Sequence, residues 1–113
     1  MARYAVFGKF TAEALAAIRE AGYQSREAPT RALYESVGGT LEAYYMLSGG
    51  DWDALHIATL PDADAAFALY KMAMSSGGAE RALVQELRTL AEADAADKRS
   101  STTYKAPGRP SSE

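Results

Sequence analysis

Two apolar runs, Leu41 to Leu47 and Trp52 to Leu60, are separated by only four residues, Ser48-Gly49-Gly50-Asp51. A connection that short and that rich in glycine joins neighbouring antiparallel strands, so the middle of the chain reads as a β-hairpin. The rest of the chain has to be arranged around it. Upstream, Tyr4 to Phe7 is aromatic and branched and is closed by Gly8, which reads as a first strand. Thr11 then stands at a helix N-cap position with Glu13 in the first turn. Leu15, Ile18 and the alanines around them give a helical stripe, and Gly22 interrupts it. Helix resumes after Gln24-Ser25, with Pro29 in its first turn and Gly38-Gly39 at its end.

Downstream of the hairpin, Pro61-Asp62 ends the strand and caps the next helix. Phe67, Tyr70 and Met74 recur at helical spacing and are the expected buried stripe of that helix. From Ala79 to Arg99 the reading divides. Leu83, Leu87 and Leu90 follow a helical period, whereas two consecutive βαβ halves call for a fourth strand near Ala82 to Leu90. From Ser100 onward the chain is serine, threonine, proline and glycine with scattered charge, too poor in apolar area to offset the cost of ordering. The organisation expected is one folded domain over residues 1–99 and a disordered tail over 100–113. The order β-α-β-β-α-β is the split plait, an α+β ferredoxin-like fold.

The strands are not cleanly alternating. Tyr4-Ala5-Val6-Phe7, Ala43-Tyr44-Tyr45-Met46-Leu47 and Ala54-Leu55-His56-Ile57-Ala58 carry apolar residues on both faces. Two helices cover one face of a four-stranded sheet, so the other face needs a cover that this chain does not supply. A second copy packed sheet on sheet is the expected cover, giving a homodimer or a dimer-based oligomer.

Gly8-Lys9-Phe10-Thr11 after the first strand, Gly38-Gly39-Thr40-Leu41 opening the second and Gly50-Asp51-Trp52-Asp53 at the hairpin resemble the GYD-domain family. That family takes its name from a Gly-Tyr-Asp signature near this hairpin. Here Trp52 stands at the tyrosine position and Asp53 matches the aspartate. Pro61-Asp62, Gly77-Gly78 and Leu87-Arg88 fall where the pattern puts them, and Tyr104-Lys105-Ala106-Pro107-Gly108 looks like the tail of some relatives. The resemblance covers about residues 3–99. It implies a dimeric α/β-barrel type of plait with a short C-terminal helix. It also implies a strand at Ala82 to Leu90, which closes the sheet edge that a single long helix would leave open. It brings no agreed activity, so no catalytic residue carries over.

Composition narrows the chemistry. The formal charge is −3, with no basic face for a phosphate backbone, so no nucleic-acid partner is expected. Without cysteine there is no disulfide, thiolate nucleophile or thiolate metal site. The apolar start is too short for a membrane span or signal peptide, so a cytoplasmic location is the default and no membrane partner is expected. No cofactor fingerprint is present: Gly8-Lys9-Phe10-Thr11 lacks the spacing of a phosphate-cradling loop, and one histidine cannot build a histidine-rich metal site.

What remains is a small candidate set. His56 is the sole histidine, either a general base or substrate partner, or a strand residue bonded to a neighbour. Trp52, Tyr44 and Tyr45 cluster at the hairpin, either lining a pocket for a flat ligand or anchoring a dimer. Asp53 and Lys9 have plain structural readings in turn chemistry and strand-end charge. By alternation, Trp52, Ala54, His56 and Ala58 share one face of the third strand. If the Leu55/Ile57 face packs on the helices, His56 turns toward a partner sheet, beside a pocket with Trp52 at its rim and Tyr44 or Tyr45 on a wall. Three functions follow. The first is a dimeric domain binding a small apolar or aromatic molecule in that sheet-lined pocket. The second is a cofactor-independent oxygenase or isomerase with His56 as base and Tyr44 or Tyr45 as proton donor. The third is an assembly or scaffolding subunit without chemistry.

Overall fold

Two of the three long helices start on a side chain that accepts an otherwise orphaned backbone N–H. Thr11 Oγ1 accepts from Ala14 N (3.2 Å) at the head of α1, Ala12–Ala21, and Asp62 Oδ1 accepts from Ala65 N (2.8 Å) at the head of α3, Ala63–Ser75. Between them a 3₁₀ turn, Tyr23–Arg26, leads into α2, Glu27–Ser36, with Pro29 in its first turn where its missing N–H costs nothing. The structure, a computed structural model, describes residues 1–108.

The strands are β1 (Ala2–Phe10), β2 (Thr40–Met46), β3 (Ala54–Leu60) and β4 (Ala79–Leu87), and a short helix α4 follows at Leu90–Asp97. They form one antiparallel sheet in the order β2-β3-β1-β4. This is the ferredoxin-like plait, with helices on one face of the sheet. The segment after Gly78 is therefore strand, not one long helix, and it begins three residues earlier than the resemblance implies. β3 begins at Ala54, so Trp52 and Asp53 belong to the turn. α4 has a full capping box between Thr89 and Glu92, and all its residues are exposed. Residues 100–108 are exposed and carry no helix or strand. The remainder of the expected tail, 109–113, lies outside the described residues.

The core lies between sheet and helices. Tyr4 and Val6 of β1, Leu41 of β2, Ala58 and Leu60 of β3, Tyr34 of α2 and Ala65 and Leu69 of α3 form one buried cluster. Gly39 makes the tightest approach: a Cβ there would stand 2.6 Å from the carbonyl oxygen of Thr59. The stripe expected on α3 is corrected. Ala65 and Leu69 face inward, while Phe67 is 66% exposed and Tyr70 and Met72 are also exposed. α3 is apolar around most of its circumference, and close contact with the sheet selects its small side rather than its aromatic one.

Candidate functional site

On β3, Ala58 and Leu60 lie in the core cluster under the helices, so His56, which alternates onto their face, looks toward the helix layer. Its Nδ1 lies 2.8 Å from the hydroxyl of Tyr34, which is 0% exposed. The two rings meet edge to face, and the Tyr44 ring lies 4.4 Å from the imidazole between centroids. This overturns the expectation that His56 looks toward a partner sheet. Size complementarity decides the face. Tyr34 and the α3 side chains enter the core from the helices, so β3 meets them with alanines and turns Leu55 and Ile57 outward.

Tyr34 fixes the imidazole's proton as well as its position. Among the described residues His56 is the only hydrogen-bond partner of the Tyr34 hydroxyl, and no buried polar side-chain atom is left unpaired. If the hydroxyl only accepted, its own buried proton would have no acceptor, at a cost of about 1–3 kcal/mol. The O–H therefore donates to Nδ1, and the neutral ring carries its proton on Nε2. Burial, assisted by the charge of Arg26, lowers the His56 pKa from 6.5 to about 4, so the ring is neutral at pH 7. Burial raises Tyr34, and Tyr44 adds to the effect. Burial also raises Tyr44, with Arg26 opposing it.

The other face of the sheet is open. Ala5 and Phe7, Ala43 and Tyr45, Leu55 and Ile57, and Leu83 alternate onto it. At one end Trp52 lies 6.0 Å from Phe7 between ring centroids, with the Arg81 guanidinium 5.0 Å above the indole. Asp53 closes that end. It accepts from the Phe10 N–H (3.0 Å), freed where the β1–β4 register shifts after Lys9, and pairs with Lys9 at 3.4 Å. Both residues thus have structural roles here.

The four candidates fall on two sides. Trp52 and Tyr45 belong to the open face, while His56 and Tyr44 belong to the helix side, so the single pocket expected to unite them does not form. Two shallow surface depressions, one along α2 at Glu27, Arg31 and Glu35 and one beside the chain start at Arg3, Arg88 and Glu92, contain none of the four. Sequence reasoning missed Tyr34 and Arg26. Tyr34 follows Thr30 at a helical spacing of four, but nothing local marks it as the partner of His56.

The family profile of the GYD domain matches residues 4–96, nearly all of the folded part. The chain belongs to the GYD family. No curated protein and no solved structure matches it. Among the described residues of this GYD domain no helix is long and apolar enough to cross a membrane.

Proposed function

We propose that this GYD domain works as a homodimer joined through the open face of its sheet, and that the space between the sheets accepts a small apolar or aromatic molecule. The observation that carries this reading is the uncovered apolar surface of Phe7, Leu55, Ile57, Leu83, Tyr45 and Trp52, opposite the helix layer. Of the charges on it, Lys9 is paired with Asp53, while Arg81, over the indole and on the Asp51 carbonyl at 2.8 Å, and the exposed Arg3 keep theirs at the margins of the apolar surface. The apolar middle of such a face is compatible with a copy of itself about a two-fold axis. Four strands at about 4.8 Å spacing and about 23 Å length present roughly 440 Å² in projection. That is a little over half of the roughly 800 Å² per partner of a stable interface, before side-chain relief is added.

Trp52 and Tyr45 keep the ligand-binding role expected of them, now alongside Phe7. His56 and Tyr44 leave that pocket. The oxygenase or isomerase alternative loses its simplest step, because Nε2 of His56 carries a proton at rest and a base needs a free lone pair. The test uses light scattering and the single tryptophan together. Leu55→Asp should convert a dimer into a folded monomer, and an apolar fluorescent dye should quench Trp52 in the unaltered protein but not in the variant. A monomer at micromolar protein before any substitution would overturn the reading. A dimer that ignores every apolar dye would leave assembly alone as the function.

A further inference from the structure

The hairpin end of the open sheet face carries a cation without a counter-charge. Arg81 stands opposite Lys9 in the β1–β4 register, two residues before Leu83 and on the same face. The ion pairs among the described residues are Lys9–Asp53, Arg31–Glu27 and Arg88–Glu86, and Arg81 takes part in none of them. Both oxygens of Asp53 are engaged elsewhere, Oδ1 by Lys9 and Oδ2 by the Phe10 N–H.

Arg81 is nevertheless held from two sides. Its Nη2 donates to the Asp51 carbonyl at 2.8 Å, and its guanidinium carbon stands 5.0 Å from the centre of the Trp52 ring. Trp52 in turn lies against Phe7, 6.0 Å away between centroids. A guanidinium stacked on an aromatic face keeps its N–H edges available to a planar acceptor. Among the described residues Nε and Nη1 of Arg81 have no acceptor. Part of the side-chain entropy that a free arginine loses on binding is thus already lost on folding.

Apolar surface begins beside it. The next row of the open face is Tyr45-Leu55-Phe7-Leu83, and about 7 Å of strand separates Arg81 from Leu83. The row beyond, Ala43-Ile57-Ala5-Gln85, has its one polar side chain at the β4 edge.

We infer that the ligand of the open face is an apolar monocarboxylate, with its carboxylate on the Arg81 guanidinium and its body along Leu83 and Phe7. This rests on the reading of that face as a ligand surface and adds the head group. Two N–H groups of a guanidinium match the two oxygens of a carboxylate. Lys9 is spent on Asp53, so this end offers one uncompensated cation, which suits a monoanion better than a phosphate dianion. Trp52 serves twice, as apolar surface and as the platform that orients the guanidinium.

Trp52 is the only tryptophan of the chain, so its emission reports on this stack. Octanoate and 1-octanol share an apolar body and differ in the head group. Near neutral pH and below micelle concentrations, octanoate should change the Trp52 emission saturably and bind at least about tenfold more tightly than 1-octanol. Arg81→Met keeps an apolar chain over the indole and removes the fork. It should bring octanoate down to the affinity of 1-octanol and leave 1-octanol unchanged, and Arg81→Lys should fall between. Equal affinity for the two compounds, an octanoate response matched by sodium chloride at the same ionic strength, or full preference for octanoate in a folded Arg81→Met each overturns the inference. The first two comparisons use the unaltered protein, so they decide even if a variant fails to fold. Equal binding of both compounds overturns the head group and leaves the apolar ligand surface standing, whereas binding of neither overturns both. Light scattering on the same samples separates the dimer: a monomer that prefers octanoate supports the Arg81 site and overturns the dimeric reading alone.

Discussion

Acid should weaken this domain through His56 as the pH falls below about 6.5. In the unfolded chain the imidazole titrates near 6.5, and in the folded state near 4. Between those values the unfolded chain binds a proton that the folded one refuses. The stability contribution of the neutral ring is therefore complete above about pH 6.5 and is lost as pH falls toward 4. At about 1.36 kcal/mol per pH unit the full loss is about 3 kcal/mol, and about 2 kcal/mol of it falls between about pH 7 and pH 5. His56→Gln removes the titration while leaving an acceptor for the Tyr34 hydroxyl. Urea unfolding at one fixed protein concentration, followed across that range for both proteins, isolates the imidazole from the carboxylates they share. The unaltered protein should lose about 2 kcal/mol more than the variant. Parallel curves, or an imidazole titrating near 6.5 in the folded state, would refute the reasoning that burial and Arg26 together keep this ring neutral.

Other outcomes follow from single contacts. Tyr34→Phe removes the donor from Nδ1 and should cost about 1–2 kcal/mol in urea unfolding, while the histidine loses its fixed tautomer in nitrogen NMR spectra. Gly39→Ala pushes a methyl toward the Thr59 carbonyl and should cost about 1–3 kcal/mol. Gly8→Ala, with nothing in its way, should leave the melting temperature equal or higher; the reverse order of these two would contradict the packing described. Removing residues 100–113 should change the melting temperature little, and a fall of several degrees would reveal a docked tail.

The element order was legible because each boundary carries a local signal: Thr11 and Asp62 cap, Gly38-Gly39 and Gly77-Gly78 stop, and Ser48 to Asp51 turns. The fourth strand was not legible from periodicity, since Leu83 and Leu87 satisfy a helical period although they lie in a strand. It came from the family pattern and from the need to close a sheet edge. The face of His56 was illegible for a different reason. Alternation correctly grouped His56 with Ala54 and Ala58, but a strand apolar on both sides carries no label for which side the helices take. That choice was made by Tyr34, twenty-two residues away, whose bulk needs alanines opposite it. Periodicity failed on α3 for the same reason, because an all-round apolar helix is oriented by fit rather than by pattern.

That outward turn of α3 has a consequence for how the protein assembles. Phe67, Tyr70 and Met72 are exposed on the layer opposite the open sheet face, so both outer sides of the body carry accessible apolar side chains. A two-fold pair through the sheets closes on itself and hides one side, but it necessarily displays the other twice, pointing away from the axis. In the dimer proposed above, each such pair would then be a bivalent unit. Contacts between α3 surfaces would extend it into rings or strings as concentration rises, so molar mass should climb past the dimer in concentrated solution and fall back when Phe67 is made charged.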